Sequence, residues 1–167
     1  MRRTGWRVAN SSSQKSFDGG ELMAVALLDI NVLMALAWPT NIHHDAAHRW
    51  FAANRGTGWA TCPHTELGFL RLSIQPAVVK TVISFADAMR ALTTSLAAPE
   101  HEFWPLDFPV SEIQSEIRAR LIGHHQLADG LLLDLAIRRS GKFATFDRRV
   151  HSLLHPESAH QAAIELL

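Results

Sequence analysis

Ala24-Val25-Ala26-Leu27-Leu28-Asp29 is a short apolar run that ends in a carboxylate, the form taken by a strand buried on both faces of a parallel sheet. This run decides the fold class, because the rest of the chain alternates between helix-like and strand-like segments. A helical stretch over residues 31–37 stops at Pro39. Residues 43–54 then carry Ala46, Ala47, Trp50 and Phe51 at helical spacing, and Gly56 and Gly58 close that helix. Residues 59–62 read as a second strand, and Pro63 opens a helix with Leu67, Leu70 and Ile74 on one face. Ser84 with Asp87 forms a capping-box pattern for a helix that runs to Ala98 and ends at Pro99. Residues 102–106 suggest a further strand. Ser111 with Gln114 suggests a second cap, for a helix over 112–122 that stops at Gly123. An apolar helix over 127–140 is followed by a short strand from Lys142 to Asp147, and a last strand is expected at 163–167. Strands alternating with helices predict an α/β fold, a mainly parallel central sheet covered by helices.

The chain has 167 residues, 47% of them apolar, enough for one domain with a single sizeable core. Sixteen basic residues balance sixteen acidic ones, so there is no overall positive field, and a polyanion would have to meet a local patch. Balanced charge also favours association with a partner or with a second copy. The single cysteine, Cys62, excludes an internal disulfide and a zinc ribbon and points to a reducing, cytoplasmic setting. No apolar stretch is long enough to span a bilayer. Residues 1–22 lack apolar periodicity and contain Ser11-Ser12-Ser13 and Asp18-Gly19-Gly20. They read as a disordered N-terminal extension, with Met23 as the physiological start and the domain proper over 23–167.

Four acids stand where such a fold places ligands. Asp29 and Asp147 end strands, while Glu66 and Asp129 each open a helix that starts at the same sheet edge, the edge at which open α/β sheets bind. One helix and one strand separate Asp129 from Asp147, so the chain returns to the same rim between them. Clustered carboxylates repel one another unless a proton or a cation intervenes. Hard divalent ions such as Mg²⁺ or Mn²⁺ suit an all-oxygen set. The chemistry that follows is phosphodiester hydrolysis by a metal-activated water. Taken singly, Glu66 or Asp129 also reads as an ordinary first-turn charge that complements the helix dipole. Asp29 and Asp147, both closing apolar strands, are harder to assign to packing.

Leu28-Asp29-Ile30-Asn31-Val32-Leu33, Pro63-His64-Thr65-Glu66, Ala128-Asp129-Gly130-Leu131-Leu132 and Phe143-Ala144-Thr145-Phe146-Asp147-Arg148-Arg149 resemble, in order and spacing, the successive motifs of PIN-domain proteins, most closely the VapC-type toxins. The resemblance runs from about Met23 to the C-terminus. It implies a three-layer α/β/α fold and a Mg²⁺- or Mn²⁺-dependent endoribonuclease that is the toxin of a type II (VapBC-like) toxin–antitoxin system. It also implies a homodimer, a cognate VapB-like antitoxin, and an RNA substrate of the tRNA kind. Carried over by position, Asp29, Glu66, Asp129 and Asp147 fall on the acidic metal ligands. Asn31 and Thr145 fall on polar positions that orient a carboxylate or water. Ile30 stands where a small or hydroxylated residue is common, and Gly130 replaces the usual alanine. The competing reading within the family is a catalytically silent module that binds RNA or protein.

Other constellations carry less. His44 and His48 lie one helical turn apart, as zinc ligands can, but Asp45 is shorter than the glutamate of the metalloprotease motif and no third ligand follows. Arg138, Arg139, Lys142, Arg148 and Arg149 flank the strand that ends in Asp147 and are candidates for gripping substrate phosphates. The same five also read as a helix-end pair and a solvated turn. His124-His125 precedes the third acid. Trp38 is the one tryptophan considered as a stacking platform. Asp134, five residues after Asp129, points away from it on a helix and reads as a partly exposed charge or a dimer-interface group. Neither an acidic pair after the first strand nor Asp-x-Asp is present, since Asp29-Ile30-Asn31 stands there. That disfavours a receiver-like domain and a haloacid-dehalogenase-type phosphatase.

Overall fold

In the computed structural model, which describes residues 24–167, the first strand, β1 (Ala26–Leu28), lies at the centre of the sheet with all of its residues buried. The readings made for residues 1–22 and for Met23 fall outside the described residues. The other strands are β2 (Trp59–Thr61), β3 (His101–Phe103), β4 (Lys142–Thr145) and β5 (Ile164–Leu166), in the order β3-β2-β1-β4-β5. Every pairing is parallel.

Side chains alternate across a strand, so β1 feeds two cores. Leu27 joins Ala60, Leu132, Leu135 and Phe143 on one face. Ala26 and Leu28 join Val32, Trp59, Phe69 and Leu92 on the other. The first face is covered by α6 (Ser115–Arg118) and α7 (Gln126–Arg138), the second by α1 (Ile30–Ala37), α2 (His44–Asn54), α3 (Pro63–Ser73) and α5 (Phe85–Leu96). The result is the parallel sheet covered by helices read from the alternation of elements, in the three-layer α/β/α arrangement that the resemblance implies. A one-turn helix, α4 (Pro76–Val79), links α3 to α5.

Local chemistry sets the helix starts that matter for the site. Asp29 has extended dihedrals and accepts the Ile30 N–H at 2.6 Å, so the last residue of the strand segment is also the cap of α1. Cys62 and Thr65 form a reciprocal capping pair, and Pro63 holds the first helical position of α3. Ser84 caps α5 through the Asp87 N–H, as its sequence pattern predicts.

The helix expected over 112–122 does not form. A 3₁₀ turn (Val110–Glu112) is broken at Ile113, whose ψ of 134° is extended, and only the single turn of α6 follows. Ile113 is buried in the core, and the Gln114 N–H donates to the Asp134 carboxylate at 3.3 Å rather than within a helix. Tertiary anchoring thus overrides the local cap signal. Asp134 itself corrects a second expectation, since it is fully buried and ion-paired with Arg138 at 3.1 Å.

The departure at Ile30 is accommodated across a helix–helix contact. A Cβ on Gly68 of α3 would lie 2.3 Å from Ile30 Cδ1 and 2.7 Å from its Cγ1. Gly68→Ala is therefore expected to destabilise the fold by about 1–3 kcal/mol, overpacking outweighing the better helix propensity of alanine. In urea melts, Gly68→Ala combined with Ile30→Ala should lose clearly less than the sum of the two single variants, because the second truncation makes room for the first methyl.

Candidate active site

At the carboxyl edge of the sheet, Asp29 follows β1, Asp147 follows β4, and Asp129 lies in the first turn of α7. Asp29 is 7% exposed. Its Oδ2 accepts hydrogen bonds from Asn31 Nδ2 and Thr145 Oγ1, both at 2.6 Å. Asn31 Nδ2 also reaches Thr145 Oγ1 at 3.0 Å, and Asn31 Oδ1 accepts the Phe146 N–H. Thr145 Oγ1 in turn accepts the Asp147 N–H at 3.1 Å. Asn31 and Thr145 thus tie α1, β4 and the Asp147 turn to one carboxylate.

Burial raises the Asp29 carboxyl from 3.8 to about 6, against the pull of the Thr145 hydroxyl and the Ile30 N–H, with the Asp129 and Asp147 charges adding to the rise. Asp129 is raised by burial and by Asp147. Asp147 goes the other way, held low by the Arg149 guanidinium. Arg149 forks onto it, with Nη2 at 2.6 Å from Oδ2 and Nε at 3.0 Å from both oxygens. Three acids from separate elements therefore sense one another, and one already carries a cationic cap.

Glu66 has a hydrogen-bond network of its own. Its Oε1 accepts from Thr61 Oγ1 at 2.7 Å, and the same hydroxyl lies 2.8 Å from His101 Nε2. Burial lowers the His101 imidazole, while Glu66 and a backbone hydrogen bond at Leu96 pull the other way. Neither Thr61 nor His101 was singled out in the sequence. A hydroxyl ending a strand next to an acid-bearing helix was a usable signal for Thr61, whereas His101 becomes visible only through the β2–β3 pairing. Among the described residues, no group of three His, Cys, Asp or Glu side chains stands ready to hold a metal ion as arranged.

The five basic candidates separate. Arg138 and Arg139 end α7 and Lys142 begins β4, at the opposite edge of the sheet from the acids. Arg138 pairs with Asp134, Arg139 with Asp107, and Lys142 with Glu165. Arg148 and Arg149 alone lie at the acidic rim, and Arg148 is exposed without an ion-pair partner among the described residues. His44 Nδ1 and His48 Nε2 bond the Ala35 and Leu36 carbonyls in the last turn of α1, a C-terminal capping role. Trp38 is an internal brace, donating to Ser73 Oγ at 2.9 Å and stacking on Phe69. The His124 and His125 rings lie 3.8 Å apart between centroids in a tilted pair, exposed beside the start of α7. Burial pushes the Cys62 thiol up, which makes it a poor nucleophile.

Arg149 competes for Asp147 with any other cation. Arg149→Gln is therefore expected to let the Asp147 carboxyl rise toward the ordinary carboxylate range, read by NMR titration at low ionic strength, where an exposed charge counts most.

An α/β/α sandwich with acids converging from β1, β4 and α7 agrees with comparisons to known proteins. A model of the PIN domain family matches residues 26–154. The chain belongs to the PIN-domain family. It is 42% identical to Ribonuclease VapC38 of Mycobacterium tuberculosis (strain ATCC 25618 / H37Rv) over 143 residues, which cover 86% of this chain and 98% of that protein. It is 41% identical to Ribonuclease VapC39 of the same strain over 144 residues, covering 85% and 99%. Among solved structures, PAE2754 from Pyrobaculum aerophilum superposes with a TM-score of 0.56 at 19% identity, covering 89% of this chain and 88% of that one. VapBC2 from Rickettsia felis, bound to a DNA fragment from its promoter, gives a TM-score of 0.54 at 16% identity, covering 86% and 98%. At those identities the structural likeness speaks for the fold.

Proposed function

We propose that the protein is a Mg²⁺- or Mn²⁺-dependent endoribonuclease, the toxin of a type II VapBC-like toxin–antitoxin system, with a VapB-like antitoxin as its partner. The observation that carries this reading is the convergence of Asp29, Asp129 and Asp147 at the carboxyl edge of the sheet, each electrostatically aware of the others. Near-full-length similarity to proteins named ribonucleases supports it further.

The donor set fits a hard divalent ion. Asp29 is pushed toward its neutral form by burial and by like charges, a penalty that a bound cation removes. Asp29, Asp129, Asp147 and Glu66 would hold it, all through oxygen. When bound, such an ion supplies Lewis acidity and charge neutralisation for phosphodiester hydrolysis. Asn31 and Thr145 keep the Asp29 carboxylate in one orientation. Arg149, once displaced from Asp147, and Arg148 beside it would contact phosphates on the substrate. We further assign the substrate to structured RNA such as tRNA, the assembly to a homodimer and the location to the cytoplasm. No helix among the described residues is long and apolar enough to cross a membrane.

One observation favours a second reading, a catalytically silent module that binds RNA or protein: Arg149 already occupies Asp147. Mapping RNA ends after brief induction of the wild type beside Asp29→Asn separates the two. New ends with the wild type alone support the nuclease. Identical end profiles would leave the silent module.

A further inference from the structure

We propose that His101 is a positioning residue for Glu66, acting through the hydroxyl of Thr61. The proposal rests on the reading of Glu66 as a cation ligand. A carboxylate can only accept hydrogen bonds, so the Thr61 hydroxyl must spend its single proton on Glu66 Oε1 at 2.7 Å. The second contact of Thr61 Oγ1, at 2.8 Å, then has to be a donation from His101 Nε2–H. The direction of both bonds is thereby fixed, running from the imidazole through the hydroxyl to the acid.

Each member is held so that it has no easy substitute. Thr61 ends β2 and is completely buried, so its hydroxyl has no water to turn to. The β2–β3 register sets Trp59 opposite His101, and the indole packs on the imidazole at 4.6 Å between ring centroids. Glu66 projects from the first turn of α3 and is half-buried. It lacks the dense network that fixes Asp29, so the Thr61 hydroxyl is its only side-chain tether among the described residues. Orientation of a carboxylate ligand by a fixed donor commonly accounts for about 10–100-fold in metal affinity.

The test is Mn²⁺ affinity, measured by calorimetry on the full chain, with unfolding midpoints recorded for every variant. Thr61→Val, nearly isosteric, and His101→Ala are each expected to weaken Mn²⁺ binding about tenfold or more, and Thr61→Ser to retain wild-type affinity. Because His101 acts through Thr61, the double variant Thr61→Val/His101→Ala should bind no more weakly than Thr61→Val alone. A merely structural role would give multiplying losses and a Thr61→Ser variant no better than Thr61→Val. Wild-type affinity in a folded Thr61→Val protein, or losses that multiply, would overturn the proposal while Glu66→Gln still weakens binding. If Glu66→Gln itself binds Mn²⁺ as the wild type does, Glu66 is not a ligand and both readings fall together.

Discussion

Asp29→Asn is expected to reduce divalent-cation-dependent RNA cleavage by roughly a thousandfold, the scale seen when one preorganised charge-stabilising group is removed. Asn keeps the volume of Asp and can still accept from Thr145 or Asn31, so the loss reports charge and not packing. The same substitution has a second, independent signature. In the folded protein the Asp29 carboxyl is raised to about 6 from 3.8, so the folded state holds that proton more tightly than the unfolded chain does. The contribution of this group to stability is therefore complete below pH 4 and is lost as the pH rises through 6. By linkage, without divalent ions the wild type should lose about 3 kcal/mol relative to Asp29→Asn between pH 4 and pH 7.5. Urea unfolding in the presence of a chelator measures it. A pH-independent difference between the two proteins would mean that Asp29 is not the buried acid with a raised carboxyl described.

Arg138→Met is the substitution expected to cost most in stability. Asp134 is fully buried, its Oδ1 has no hydrogen-bond partner, and its Oδ2 is held by Arg138 Nε at 3.1 Å and by the Gln114 N–H. Removing the guanidinium leaves a buried charge with one long hydrogen bond, a loss of about 3 kcal/mol. Arg138 also reaches the Glu112 carbonyl at 2.6 Å and lies over the Phe108 ring at 4.1 Å, so the long apolar side chain of Met preserves the cover on Phe108. The pair as a whole is less valuable than its halves: Asp134→Leu together with Arg138→Met should recover most of the loss. Chemical denaturation of the two single variants and the double closes the cycle. Cleavage by Arg138→Met at permissive temperature should match the wild type, since that arginine lies at the edge of the sheet away from the acids.

That contrast shows where the sequence was informative. Asp29 was legible because an apolar run that ends in a carboxylate has few other meanings, whereas Asn31 and Thr145 could be placed only through the resemblance to PIN-domain motifs. Arg138, Arg139 and Lys142 misled because they are near Asp147 along the chain, whereas a helix that starts at Asp129 must deliver its last turn to the far edge. Asp134 was read as partly exposed because it stands five residues after Asp129 and points away from it on a helix, an offset that says nothing of what packs over that face. The Gln114 N–H that breaks the helix expected over 112–122 is donated across 20 residues, a contact that no local pattern encodes. The Thr61–His101 contact spans 40 residues and depends on the register of two three-residue strands, which is too short a signal for periodicity to reveal.

Because β4 pairs with β1 across more than a hundred positions of chain, the acidic rim has no existence in a partly synthesised polypeptide. Asp29 and Glu66 leave the ribosome early, but Asp129 and Asp147 emerge only as the final quarter is made. Until then β1 has an open edge where β4 belongs. A chain truncated before residue 129 would thus present two isolated acids and no rim to close over them.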